Sequence, residues 1–362
     1  NNAQTDVKGS RNAKYKRAHQ QPDPDVFLHV VENNVDGIGI DGKPCKGAIV
    51  RGAKICNSNA PYVDEIFACP TKFMGPGDEA YAMYEKAPDN IKVSFPIVNG
   101  VIADYNNMQT LIGEVLDKHV KNHTKGAEYI VAIPTSITMV EQKSFADLFY
   151  KSRFKPKSVL LFQRPIADAV GLDLDVLSPT GYMIVNIGAD TTEISVISLG
   201  GLVLSELLDF GGKRIDESII SYLKRTFSLA IGHKTAMYLK ETLGCALPEE
   251  EERTAKIVGR DLVSGLPIEM EISSKVIYEA IKDNLNSICN SIKLILEKTP
   301  PELAQDIIHS GIYITGGSSK ISKLDQLFTQ ITNIKVNSCE YPEESAVRGL
   351  NKIVSDEKLK RL

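Results

Sequence analysis

From residue 77 onward the apolar positions recur with two clear periods. Met108, Leu111, Ile112, Val115 and Leu116 fall on one face of a helix over Met108–Val120. Tyr129–Ile133 is a short apolar run closed by Pro134, the pattern of a buried strand. Val140–Tyr150 is amphipathic through Phe145, Leu148 and Phe149. Val159–Phe162 predicts another strand, and Ile166–Gly171 a short helix behind Pro165. Strands and helices that alternate in this way predict an α/β layer.

The next stretch carries the clearest local pattern. Tyr182–Ile187, Glu193–Leu199 and Leu202–Leu208 read as three strands, joined by a turn at Gly188–Thr192 and a tight hairpin at Gly200-Gly201. Gly211-Gly212 then breaks the pattern, and Arg214–Ser228 reads as a helix with Ile215, Ile219, Ile220, Leu223 and Phe227 inward. This is a β-β-β-α unit. Thr235–Leu243 is a further helix, and Lys256–Ile272 a hairpin around Ser264–Pro267. Ser273–Glu297 is a long helix with Ser273 as its N-cap, stopped by Pro300-Pro301. Strand Gly311–Thr315 runs into Gly316-Gly317-Ser318-Ser319, followed by helix Ile321–Thr329, strand Ile334–Val336 and a closing helix Glu344–Val354.

Before residue 77 the pattern is harder to divide. Val26–Val31, Ala48–Val50 and Ile66–Ala68 suggest short strands among Gly, Pro and Asn. Residues 1–25 are polar: Lys8, Arg11, Lys14, Lys16 and Arg17 against Asp6 make a basic tail with no apolar stripe, so neither a secretory signal nor a membrane-lying helix is expected.

Composition narrows the class. The chain has 362 residues, 43% hydrophobic and 24% charged, a globular balance with room for two or three domains. A net charge of −4 predicts no nucleic-acid partner. No apolar run reaches the roughly 18 residues of a membrane span, so a cytoplasmic protein is expected, with membrane association as the alternative. Six Cys without a C-x-x-C pair read as small apolar residues in a reducing compartment. The six His show no metal-ligand spacing, so no metal ligands are assigned. G-x-S-x-G and G-x-x-x-x-G-K-[ST] are both missing, which disfavours a hydrolase elbow and a P-loop.

Three loops carry candidate chemistry. In Asn186-Ile187-Gly188-Ala189-Asp190-Thr191-Thr192-Glu193, glycine lets backbone N–H groups approach phosphate oxygens and the Thr hydroxyls add donors. Thr315-Gly316-Gly317-Ser318-Ser319 places glycines between a strand and a helix N-terminus, a ready anion site. In Asp209-Phe210-Gly211-Gly212-Lys213-Arg214-Ile215-Asp216 the glycines permit close packing, and Lys213 or Asp216 is a candidate to face a ligand. On the residues alone, each loop reads equally as an ordinary connection.

The order and spacing of these loops resemble the actin-type nucleotide-binding fold, and specifically the bacterial actin homologues of the MreB family. The resemblance is carried by Gly100–Asp104, Pro134–Glu141, Pro179–Gly188, Thr191–Gly201, Ile231–Ala236, Gly259–Leu262, Gly265–Pro267, Leu296–Ala304 and Ile314–Gly317. It spans Gly77 to Val354, roughly three quarters of the chain.

The resemblance implies two domains, each built on a duplicated ribonuclease-H-like β-β-β-α-β-α core, closing over ATP and Mg²⁺. It implies domain I over residues 26–178, domain II over 179–340, and a helix over 341–362 returning to domain I. Gly188, Ala189, Asp190 and Thr191 match the second phosphate loop. Ala236, Met237 and Lys240 match the helix flanking the adenosine, and Gly316, Gly317, Ser318 and Ser319 the loop on the other side of the purine. Glu141 matches the carboxylate that positions the attacking water. Taken by itself, a Glu near a helix start is more often a capping residue. The implied function is a filament-forming, slowly ATP-hydrolysing protein that maintains rod cell shape by organising cell-wall synthesis. Its implied partners are further copies of itself, cell-wall synthesis and membrane morphogenesis proteins, and the inner-membrane surface.

The chain also departs from the family pattern. Asn186 stands where the family usually has Asp, which weakens an indirect hold on Mg²⁺. Ala189 and Asp190 replace glycines, and Asp190 repels phosphate unless Mg²⁺ or Lys screens it. Met237 replaces an acidic residue. The best candidate for the first phosphate loop is Ile38–Lys43 with Asp41 and Gly42, one residue short and without its Thr. These departures favour, as the second reading, a non-hydrolysing actin-fold scaffold with weakened nucleotide binding. A small-molecule kinase or chaperone of the wider superfamily is a third.

Overall fold

The computed structural model describes the backbone of residues 27–38 and 44–53, and residues 85–86, 95–120 and 126–361. In chain order the first elements are β1 (Phe27–Ile38), β2 (Pro44–Ala53), β3 (Ile97–Val98), β4 (Val101–Ile102), α1 (Tyr105–Val120), β5 (Glu128–Ile133), α2 (Met139–Tyr150), β6 (Ser158–Gln163) and α3 (Arg164–Gly171). Then come β7 (Tyr182–Ile187), β8 (Thr192–Ser198), β9 (Gly201–Leu208), α4 (Gly212–Phe227), β10 (Leu229–Ala230), α5 (His233–Leu243), β11 (Thr254–Asp261) and β12 (Pro267–Ser273). The chain closes with α6 (Ser274–Lys298), α7 (Pro301–Ser310), β13 (Ile312–Thr315), α8 (Leu324–Thr332), β14 (Val336–Ser338) and α9 (Ser345–Ser355).

The largest sheet has the order β14-β13-β7-β8-β9. β7, β8 and β9 form an antiparallel meander, while β13 runs parallel to both β7 and β14. Met183 to Ile187 of β7 are all buried, as expected of a strand covered on both faces. Ile215, Ile219 and Leu223 of α4 recur every four residues, and none is exposed. Ile277, Ile281, Leu285, Ile288, Ile292 and Ile295 recur every three or four residues along α6 and are likewise buried. They share one core with the sheet.

Earlier in the chain, β5 and β6 form a parallel pair bridged by α2 and followed by α3. The unit β13–α8–β14–α9 repeats that arrangement. Its helix α9 packs directly on α3 through two glycines. A Cβ on Gly349 would lie 1.7 Å from the Ala167 carbonyl oxygen, and one on Gly171 would lie 1.9 Å from that of Ser345. Only glycine tolerates this approach of two backbones.

Several expectations shift. The hairpin after β8 turns on Leu199-Gly200, both at positive φ, because a two-residue loop matching strand twist needs both central residues there. Gly201 already belongs to β9. Pro301 starts α7 as well as following α6, since proline is pre-organised for the first helical turn. Ser273 occupies the N-cap of α6 without a side-chain cap bond, and Ser274 Oγ instead accepts the Arg253 N–H. The Gly316 loop does not open a helix at Ile321: Gly317–Lys320 form a 3₁₀ turn, and α8 begins at Leu324. The strand read at Ile334–Val336 lies at Val336–Ser338. The stretch Ile66–Ala68, residues 1–25, and Asp41 and Gly42 lie outside the described residues.

Candidate nucleotide site

The three glycine-bearing loops, far apart in sequence, meet at the Gly188 turn. Gly188 N–H closes that turn on the Thr191 carbonyl at 2.9 Å. The Gly188 carbonyl accepts the Gly212 N–H at 2.8 Å and the Ser318 hydroxyl at 2.9 Å, while the Ala189 carbonyl accepts the Lys213 N–H at 2.8 Å. The glycines permit this crowding. A Cβ on Gly211 would lie 2.4 Å from the Ala189 oxygen, one on Gly212 2.5 Å from Ser318 Oγ, and one on Gly316 2.4 Å from the Ile187 oxygen. Gly316 also sits at φ +82. Ser319 Oγ donates back to the Gly316 carbonyl, which holds the 3₁₀ turn that carries Gly317.

Segments from the first half reach the same turn. The β3–β4 hairpin tip, Asn99-Gly100, has both residues at positive φ. A Cβ on Gly100 would meet Pro134 at 3.1 Å and Thr191 at 3.6 Å. Buried Glu193 of β8 accepts the Thr135 N–H. Thr138 caps α2 through a capping box: Glu141 Oε2 accepts the Thr138 N–H at 2.7 Å and its hydroxyl at 2.8 Å, and Thr138 Oγ1 accepts the Glu141 N–H. These bonds hold the Glu141 carboxyl below the usual carboxylate range, the Thr138 backbone bond contributing most.

Charges at the turn are compensated. Asp190 pairs with Lys213 at 3.1 Å, and Lys213 also lies over the Phe95 ring. Asp216 is buried against Lys240 at 2.8 Å, and Lys240 further donates to the Gly212 carbonyl. Burial pushes the Asp216 carboxyl up, against the pull of Lys240. Ala236 is buried on the inner face of α5, and Met237 is half-buried. Two buried hydroxyls, Thr191 Oγ1 and Thr315 Oγ1, have no hydrogen-bond partner.

Other features were not read from the sequence. Asn186 donates to Asp168 at 2.8 Å, and Ser345 Oγ donates to the same carboxylate at 2.6 Å. Asp168 is fully buried on α3. Burial drives its pKa up to about 6, against its hydrogen bonds from Ser345 and Asn186 and the charge of Arg164. A charged residue inside the apolar run Ile166–Val170 was the available signal. Glu85 accepts the His233 N–H at 2.8 Å and the Lys234 N–H at 3.4 Å, placing a carboxylate at the positive end of α5. No local pattern could have announced a contact spanning so much of the chain.

Comparison with known proteins gives the chain's family and fold. The MreB/Mbl protein family matches residues 38–361, beginning upstream of Gly77, where the motif resemblance starts. The cell shape-determining protein Mbl of Bacillus subtilis is 35% identical over 313 residues, 86% of this chain and 93% of its own. The cell shape-determining protein MreB of Escherichia coli is 34% identical over 283 residues, 77% of this chain and 81% of its own. The crystal structure of MreB5 of Spiroplasma citri bound to ADP superposes with a TM-score of 0.75 at 29% identity, covering 82% of this chain and 88% of that one. The same protein bound to AMPPNP gives 0.76 at 26% identity, covering 94% and 98%. A MamK double helical filament shares the fold at 0.67 and 19% identity, covering 91% and 99%. The fold is actin-like, and the chain belongs to the MreB/Mbl protein family.

Proposed function

We propose that this chain binds ATP on the Gly188, Gly212 and Gly316 turns, assembles with copies of itself into filaments, and maintains rod shape by organising cell-wall synthesis. The observation that carries the reading is the convergence of those turns on one carbonyl, with the Thr191 hydroxyl of the Gly188 turn and the Thr315 hydroxyl at the end of β13 both buried and unpartnered. A buried polar group without a partner costs about 1–3 kcal/mol, and a phosphate oxygen would supply the missing acceptor. The nucleotides bound by MreB5 support the ligand class, the names of the Mbl and MreB relatives support the cellular role, and the MamK filament supports self-association.

The residues fit a nucleotide better than they fit a free cation. Asn186 is committed to Asp168 and Asp190 to Lys213, and among the described residues no group of three His, Cys, Asp or Glu could hold an ion. Mg²⁺ would therefore be held by the nucleotide's phosphates and water, and its charge would offset theirs. Ala236, Met237 and Lys240 on α5 would flank the adenosine, and Gly316–Ser319 its other side.

Slow hydrolysis falls to Glu141. A water oxygen attacks the γ-phosphorus, the bond to the β–γ bridging oxygen breaks, and one water proton passes through the carboxylate to solvent. ADP and inorganic phosphate leave. Both Thr138 bonds fall on Oε2, which leaves Oε1 to accept from the water and orient it for in-line attack. The neutral Asn186 beside the turn favours one second reading, a scaffold that binds nucleotide without hydrolysing it.

We divide the chain into domain I (26–178) and domain II (179–340), with the helix in 341–362 returning to the first; the α3–α9 contact supports that return. No helix among the described residues is long and apolar enough to cross a membrane. We place the protein in the cytoplasm, with the basic tail as a contact for the inner membrane. Cell-wall synthesis and membrane morphogenesis proteins are the proposed partners. Sedimentation with ATP and Mg²⁺ tests assembly, and phosphate release tests hydrolysis. Polymer in the pellet with slow release is expected. Monomers at every protein concentration would remove the filament reading, and polymer without release would leave the scaffold.

A further inference from the structure

We propose that Glu193 is a positioning residue that ties the Glu141 segment to the phosphate turn. The inference rests on the roles just given to Glu141 and Gly188. Glu193 lies on β8, two residues beyond Thr191 and paired across the sheet with Asn186. Its side chain is fully buried, so it acts only through its neighbours.

The two carboxylate oxygens point to different tasks. Oε2 lies 3.7 Å from the buried Arg164 guanidinium. Oε1 accepts the backbone N–H of Thr135, 58 residues earlier in the chain. Thr135 is held a second time, because its hydroxyl bonds to that of Ser205 on β9, which reaches Ser195 on β8 at 3.1 Å. The meander that contains the phosphate turn therefore grips the first residue after Pro134 at two atoms.

From that grip to Glu141 the path is short. Ser136 sits at φ +60, a left-handed conformation that costs an L residue roughly 1–2 kcal/mol and persists only where its surroundings fix it. The surroundings are Thr135 on one side and the Thr138 cap on the other. Thr138 in turn binds Glu141 Oε2 with both its N–H and its hydroxyl. A shift of Thr135 passes through Ser136 to the cap and so to the carboxylate. An ion pair with Arg164 would by itself neutralise Glu193; the bond to Thr135 is what couples the turn to the proposed water-orienting group.

Three substitutions separate positioning from support of the fold. Glu193→Gln keeps an oxygen for Thr135 but loses the charge facing Arg164. Glu193→Asp keeps the charge but withdraws the acceptor by one methylene. Glu193→Ala loses both. Misplacing a reacting group by about 1 Å costs on the order of 100-fold. Phosphate release per bound ATP should therefore fall about 10- to 100-fold in Glu193→Asp and Glu193→Ala, with ATP affinity held within about threefold. Glu193→Gln should recover most of the rate while melting at the lower temperature expected of a broken buried pair. Rate and melting temperature thus change in opposite order for Gln and Asp, which a purely structural role does not produce.

Hydrogen exchange of the peptide spanning Thr135–Glu141 reads the tether without reference to hydrolysis. Exchange should speed up about tenfold or more in Glu193→Asp, and stay near wild type in Glu193→Gln. Unchanged exchange in the Asp variant, or rate and affinity falling in parallel across all variants that fold, would overturn the proposal. Wild-type protein that binds ATP but releases no phosphate would overturn the role of Glu141 instead, and the exchange result then decides the tether.

Discussion

Replacing Lys213 by Ala should weaken ATP binding by about 30-fold, and the size follows from the pair it breaks. Lys213 Nζ lies 3.1 Å from Asp190 Oδ1, with the lysine side chain 32% exposed and the aspartate 12%. Without the lysine, the aspartate presents an uncompensated negative charge on the turn that receives phosphate. At an effective permittivity of about 20, two unit charges roughly 4 Å apart interact by about 4 kcal/mol. Exposure of the pair to solvent and salt removes about half, leaving about 2 kcal/mol, or roughly 30-fold in the dissociation constant. The assay is an ATP titration of wild type, Lys213→Ala, Asp190→Ala and the double variant, at low and moderate salt, with melting curves to confirm folding. Asp190→Ala should bind as well as wild type or better, and the double variant should recover most of the loss. The loss should shrink as salt rises. If both single variants weaken binding equally, or Lys213→Ala binds like wild type, Asp190 is not a latent charge on the phosphates.

Two further predictions concern the junction of α3 and α9 with β7. Gly349→Ala puts a methyl 1.7 Å from the Ala167 carbonyl oxygen, so the helices must separate; at about 3 kcal/mol this lowers the melting temperature by roughly 6–12 °C, and a drop under about 2 °C would contradict the close packing. Asp168 binds its proton more tightly folded than unfolded, because burial raises its pKa from 3.8 to about 6. Its stabilising effect is therefore complete below about pH 4 and lost as pH climbs through 6, roughly 3 kcal/mol in all. Denaturant melts of wild type and Asp168→Asn across pH 4–7 should show the difference in stability shifting by that amount in the variant's favour, and a shift the other way would refute the assignment.

What the sequence made legible was whatever repeats locally. The Ile215–Ile219–Leu223 spacing, the run of β7 and the glycines of the three loops each leave a mark within a few residues, and the structure brings those loops together. The errors were local too. Gly200-Gly201 offered two glycines for one turn, and the choice of Leu199-Gly200 depends on strand register. Pro300-Pro301 is a stop for one helix and a start for the next. The glycines after β13 suggested a helix N-terminus, but the chain first makes a 3₁₀ turn. The polar pairs were beyond reach. Asn186 with Asp168, Thr135 with Glu193 and Glu85 with the start of α5 join residues whose proximity exists only once helices and sheets have packed. In the sequence Asp190 reads as a repulsive charge because its partner lies on the neighbouring turn; the lysine it needs as a screen is Lys213.

The central claim is that these turns hold a nucleotide's phosphates, and the buried hydroxyls of Thr191 and Thr315 test it most directly. Titrating ATP into wild type, Thr191→Val and Thr315→Val, alongside melts of the nucleotide-free proteins, asks one question of both states. Valine removes a hydroxyl that has no partner in the folded chain, so each variant should be as stable as wild type or more so, yet bind ATP at least about tenfold more weakly. Wild type that fails to bind ATP, or variants that bind it unchanged, would contradict the account.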